Sequence, residues 1–196
     1  MGAKQVARTS YHHGALRQAL IDGAREILAE RGHDQFSLNE LARRVGVSTS
    51  APYRHFANRD DLLAAVADQG YATLHKSLEH TASDTPDVRE RLIHLAGAYV
   101  RFAHDHPDLY ATMFRARPGA EPKGYESFEV LLRTVDEAQQ QAIIPTTVSA
   151  ELMSRSIWAT LHGLALLNLR QPHERFGLNE PPEALAADTL SALFGL

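Results

Sequence analysis

Apolar positions recur along the chain at three- and four-residue steps, broken by short polar or Pro/Gly-rich stretches, so the pattern predicts helices throughout. Leu16, Leu20, Ala24, Ile27 and Leu28 place a first long helix, opened at Tyr11-His12-His13-Gly14 and closed at Gly32. Phe36 follows as a buried lead-in, and Leu38, Leu41, Ala42 and Val45 give a short second helix one apolar face. Ser37 precedes that helix as an N-cap. Gly46 follows it, where a left-handed backbone ends a helix at low steric cost. The small side chain of Ala42 faces the next helix and allows a close crossing. Ser48-Thr49-Ser50 then offers caps for a third helix; Pro52, tolerated only in a first turn, puts the cap at Thr49 or Ser50. Asn58 caps a fourth, with Asp60 and Asp61 in a first turn that favours negative charge. Leu62, Leu63 and Val66 pack this fourth helix, which continues to about Thr81 as a lever between head and body.

Ser83-Asp84-Thr85-Pro86 is a break. Val88, Leu92, Leu95, Tyr99 and Phe102 then form an amphipathic stripe, interrupted at Pro107. Leu109-Tyr110 with Met113-Phe114 makes a short aromatic helix, and residues 115–124 read as a loop. Phe128, Leu131, Leu132, Val135 and Ala138 mark another helix, bounded by Pro145. From about Thr147 to Leu169 the chain is apolar nearly all round, and a last helix after Pro181-Pro182 carries Leu185, Leu190, Leu193 and Phe194. A helix apolar on every side, in a chain this small, needs cover beyond its own subunit. Pairing the two C-terminal helices with the same two of a second copy gives a four-helix isologous interface, hence a homodimer.

Two short helices around the Gly46 turn have the plan of a helix-turn-helix, whose second helix enters the DNA major groove. The details sharpen that plan. Gly46-Val47-Ser48, Tyr53-Arg54-His55-Phe56 and Asn58-Arg59-Asp60-Asp61-Leu62-Leu63 together closely resemble the DNA-binding domain of the TetR family of bacterial regulators. Arg59 stands where that family usually has Lys, and Ser37 where it usually has Thr; Pro52 is less usual. Trp158-Ala159-Thr160-Leu161-His162-Gly163 also resembles the Trp…His-Gly signature of one C-terminal class of the family. The resemblance implies an all-α protein. Residues 1–63 would form a three-helix DNA-binding head, and residues 64–196 a helical body for effector binding and dimerisation. It further implies a repressor that binds a palindromic operator in double-stranded DNA and is released by a small-molecule effector.

Composition changes this picture little. The net charge of −4 divides unevenly: residues 1–62 carry +2 and the remainder −6, a mildly basic head on an acidic body. The absence of Cys removes disulfides, thiolate metal sites and Cys nucleophiles. No run of about 18 apolar residues predicts a membrane span. The first residues lack an apolar signal segment, and Val6 breaks a myristoylation motif at Met1-Gly2. A cytoplasmic protein, without a membrane partner, is the expectation.

Thr49, Ser50, Ala51, Tyr53 and His55 are the candidates for the groove surface, with Ser48 beside them. Hydroxyls can bond base edges or phosphates, Ala can meet a thymine methyl, and Tyr and His can reach phosphates. Ser37, Arg43, Arg44, Arg54 and Arg59 are candidate phosphate anchors; for Arg44 and Arg54 a solvated helix charge is the competing account. Lys4 and Arg8 fit either a basic arm or a frayed terminus. Tyr99, Phe102, Tyr110, Met113, Phe114, Phe128, Leu131, Trp158 and His162 are candidates to line an apolar effector cavity, and plain core accounts for them equally. His162, one turn from Trp158, either orients a ligand or is bonded within the core. No metal site or cofactor is expected, since adjacent His12 and His13 point apart on a helix without a third ligand. His104-Asp105-His106 supplies acid–base groups, but no nucleophile, phosphate loop or spaced metal set accompanies them, so no enzyme is expected.

Overall fold

The computed structural model describes residues 3–32, 36–115, 123–169 and 180–194, with side chains from residue 14 onward. All regular structure among them is helical: α1 (Ala3–Arg31), α2 (Leu38–Val45), a 3₁₀ turn (Pro52–Arg54), α3 (Arg59–Asp84), α4 (Val88–Asp105), α5 (Pro107–Met113), α6 (Tyr125–Gln140), α7 (Ala150–Leu169) and α8 (Pro182–Phe194). α1 begins at Ala3, upstream of the expected start at Tyr11, because no Gly or Pro interrupts the Ala/Lys/Gln/Arg run before Gly14. The side chains of Lys4, Arg8, His12 and His13 lie outside the described residues.

The chain divides into two compact units. One comprises residues 1–70 with 108–116, the other residues 71–107 with 117–196. The first thus reaches past residue 63 to Gly70 and takes in the segment that carries Tyr110, Met113 and Phe114. α3 begins in the first unit and ends in the second.

In the first unit Leu20, Ile27 and Leu28 of α1, Leu41 of α2, and Leu62 and Val66 of α3 are closed to solvent. Phe36 and Phe56 are buried beside them, as the spacing requires. α1 and α2 approach most closely at Gly23, where an added Cβ would sit 2.9 Å from Val45 Cγ2 and 3.0 Å from Leu41 Cδ1. Near Gly70, α5 comes equally close: an added Cβ would meet Met113 Sδ at 2.7 Å.

In the second unit α4 is the central helix, buried continuously from Leu95 to Val100 and packed on α6, α7 and α8. Asp87 caps it by accepting from the Glu90 amide at 2.9 Å. Arg91 fixes the corner before it, donating to the carbonyls of Thr85 and Pro86 and to Glu137 of α6, each at 2.7 Å. α7 is less enclosed than its composition suggests. Met153, Ser154, Ile157, Leu161, Leu164 and Ala165 turn inward, whereas Leu152 (50% exposed), Leu167 (45%) and, on α8, Leu193 (55%) remain open.

Candidate nucleic-acid interface

The site is assembled by local backbone chemistry. Ser37 Oγ accepts from the Glu40 amide at 3.2 Å, an N-cap as the sequence predicts. At the other end Gly46 takes φ +79°, in the left-handed region. Its amide donates to the Arg43 carbonyl at 3.2 Å and that of Val47 to the Ala42 carbonyl at 2.9 Å, the paired bonds of a Schellman motif. α2 therefore stops at a fixed place and the chain leaves in a fixed direction. Asn58 starts α3 by accepting from the Asp61 amide at 2.9 Å, while the Asp61 carboxylate accepts from the Ala57 amide at 3.1 Å.

Between these caps the expected reading helix contracts to a 3₁₀ turn. Ala51 donates to Ser48, Arg54 to Ala51 and His55 to Pro52, all three residues back, before Phe56 donates to Pro52. Pro52 does not itself forbid an α-helix begun at Thr49 or Ser50, since in a first turn its missing amide hydrogen costs no bond; the amides of Arg54 and His55 nonetheless pair three residues back. Neither hydroxyl caps: Ala51 holds the N-cap position with no side-chain bond. Ser48 and Ser50 instead place their hydroxyls 3.2 Å from one another.

Ser48, Thr49, Ser50, Tyr53 (53%) and Arg54 are exposed, a contiguous polar surface, with Ser37 and Arg43 exposed on the preceding helix. Ala51 departs from expectation. At 8% exposure it is buried, unlike the residues on either side of the turn that are open to solvent. His55 is half-buried against Phe56. Arg59 is also half-buried, its guanidinium 5.1 Å above the Phe36 ring, as Arg17 lies 5.3 Å above Phe56. Arg44 is held by α1: its Nη1 donates to Glu30 at 2.7 Å, its Nη2 to the other oxygen of the same carboxylate, and its Nε to Glu26 at 3.3 Å. Those hydrogen bonds lower the Glu30 pKa and raise that of Arg44. The two acids form an i,i+4 pair visible in the sequence, but only the tertiary fold shows which cation they face.

The nine candidates for an effector cavity separate between the units. In the first, Tyr110 is fully buried with its ring 4.8 Å from that of Phe114, and Met113 packs at Gly70. In the second, the Tyr99 hydroxyl lies 3.1 Å from His162 Nδ1, and Trp158 stacks on the His162 ring at 5.3 Å. Phe102 is buried with its edge toward His106, while Phe128 and Leu131 are half-buried on α6. Burial lowers the His162 pKa below its ordinary value, favouring a neutral imidazole.

Comparison with known proteins decides the family. The family model for bacterial regulatory proteins of the tetR family matches residues 20–66, and that for the tetracyclin repressor-like C-terminal domain matches residues 92–193, more than half of the chain. The chain belongs to the TetR family. It is a DNA-binding transcriptional regulator of bacterial type with the family's all-α fold. A solved structure of a protein of unknown function from Rhodococcus sp. RHA1 is 34% identical, covers 95% of this chain and 98% of its own, and superposes with a TM-score of 0.80. An HTH-type transcriptional regulator of Mycobacterium tuberculosis is 25% identical over 158 residues, 78% of this chain and 70% of that protein. SmeT, solved in complex with triclosan, shares the fold at 20% identity, with a TM-score of 0.68 over 92% of this chain and 91% of its own. No helix among the described residues is long and apolar enough to cross a membrane.

Proposed function

We propose that this regulator is a cytoplasmic repressor that binds a palindromic operator as a homodimer and is released by a small molecule held in its C-terminal body. The observation that carries the DNA-binding part is the set of exposed side chains Ser48, Thr49, Ser50, Tyr53 and Arg54, held on a short segment whose backbone direction is fixed by the Gly46 turn before it and the Asn58 cap after it. Thr49, Ser50 and Tyr53 read the groove; Ser37, Arg43 and Arg54 contact phosphates. Repression is the simplest mode, since occupancy of the operator suffices. For the effector, Tyr99, Trp158 and His162 provide aromatic walls with polar tips, and SmeT illustrates that this fold accepts an aromatic small molecule. The reading has no catalytic step.

Selection of bound duplexes from random DNA tests it. The expected product is a palindrome bound by a dimer, with affinity falling steeply in salt. Thr49→Ala should relax preference at a defined base pair by about 1–3 kcal/mol, whereas Arg43→Ala should weaken all sequences alike. Weak, sequence-blind binding in the selection would rule out operator recognition.

A further inference from the structure

We propose that Arg44 is a positioning residue for DNA recognition: with Glu30 and Glu26 it locks the end of α2, and so the turn that presents the reading segment, instead of contacting phosphate. Three of its N–H-bearing nitrogens are engaged by two carboxylates one helical turn apart on α1. The fork that would grip a phosphate is filled by Glu30.

The placement explains why the lock matters. Arg44 lies in the last turn of α2, two residues before the left-handed Gly46. The Gly23 approach allows close packing of α1 and α2 but, lacking a side chain, does little to fix their angle. Ion pairs of opposite polarity bridge the same two helices beyond that approach: Arg31 of α1 to Glu40 of α2, and the Glu26–Glu30 pair of α1 to Arg44 of α2. Sliding or rotating one helix against the other strains both sets of pairs. An isolated exposed pair contributes little, but a bidentate network with a second carboxylate is the arrangement in which geometry is retained. Arg43, its neighbour, is exposed and makes no ion pair among the described residues, so it is the phosphate contact of the two.

The proposal rests on Ser48–Arg54 facing DNA, which titration of the selected duplex with the unmodified protein tests alone. The lock is then tested by salt-series titrations of Arg44→Gln, Glu30→Gln, Arg43→Gln and the exchange Glu30→Arg with Arg44→Glu. Arg44→Gln and Glu30→Gln should each weaken binding several-fold with the slope of log affinity against log salt unchanged, and the exchange should recover most of the loss. Arg43→Gln should flatten that slope by about 0.9, one phosphate contact. Amide exchange without DNA should quicken across residues 45–56 in Arg44→Gln and Glu30→Gln. The proposal is overturned if Arg44→Gln flattens the slope as Arg43→Gln does, or if Glu30→Gln tightens binding and steepens it, as freeing a phosphate anchor would. Unaltered exchange at residues 45–56 in both variants also overturns it, with or without a bound duplex.

Discussion

His162 shows how much a single residue's surroundings decide. Its ring is engaged from two helices, by the Tyr99 hydroxyl of α4 and by the Trp158 indole one turn earlier on α7. Burial lowers its pKa from the ordinary 6.5, so in acid the unfolded chain takes up the proton before the folded one does. Its contribution to stability is therefore complete above pH 6.5 and declines as pH falls through the lower folded value. Urea midpoints at about pH 7.5 and about pH 5.5 check this: the unmodified protein should lose more stability between them than His162→Gln does. Equal losses would show that the imidazole titrates as if in water. The Trp-x-x-x-His spacing made one shared face legible in the sequence; Tyr99, 63 residues away, was not a partner that spacing could name.

At the scale of elements, the features set by neighbouring residues were legible and those set by distant ones were not. Ser37, Gly46 and Asn58 act through bonds spanning a few residues, and each does what the sequence predicts. The reading element differs because the Arg54 and His55 amides pair three residues back in a 3₁₀ turn, which apolar spacing alone does not register. Arg44 could be read as anchor or solvated charge until the fold put Glu26 and Glu30 beside it. The start of α6 provides a test of element geometry in the second unit. Gly124 holds φ +89°, and a Cβ there would lie 2.8 Å from Tyr71 Cε1, so a side chain is opposed by both backbone and packing. Gly124→Ala should cost about 1–3 kcal/mol in urea unfolding. Adding Tyr71→Leu should return part of that loss, the part due to the clash; a neutral Gly124→Ala would mean that α6 starts elsewhere in solution.

For the whole molecule, the decisive question is what covers the outer side of the last two helices. α7 buries one face in its own unit, but Leu152, Leu167 and, on α8, Leu193 remain exposed, and Trp158 is only partly covered. An isolated exposed Leu needs no explanation, but several large apolar side chains on two C-terminal helices suit the isologous pairing proposed here. Dimerisation also has a functional consequence that a monomer cannot supply. Once one reading segment is bound, the second acts at an effective concentration in the millimolar range, so linkage can raise operator affinity by about 10²–10⁴ without a new base contact. Leu167→Glu places a charge in that face and leaves the DNA-reading residues untouched. In sedimentation at micromolar protein, the unmodified chain should run as a dimer and Leu167→Glu as a folded monomer. The variant's affinity for the full palindrome should fall toward its affinity for a half-site, which should itself be unchanged. A variant that stays dimeric with full operator affinity would move the interface away from α7 and require another partner for its exposed leucines.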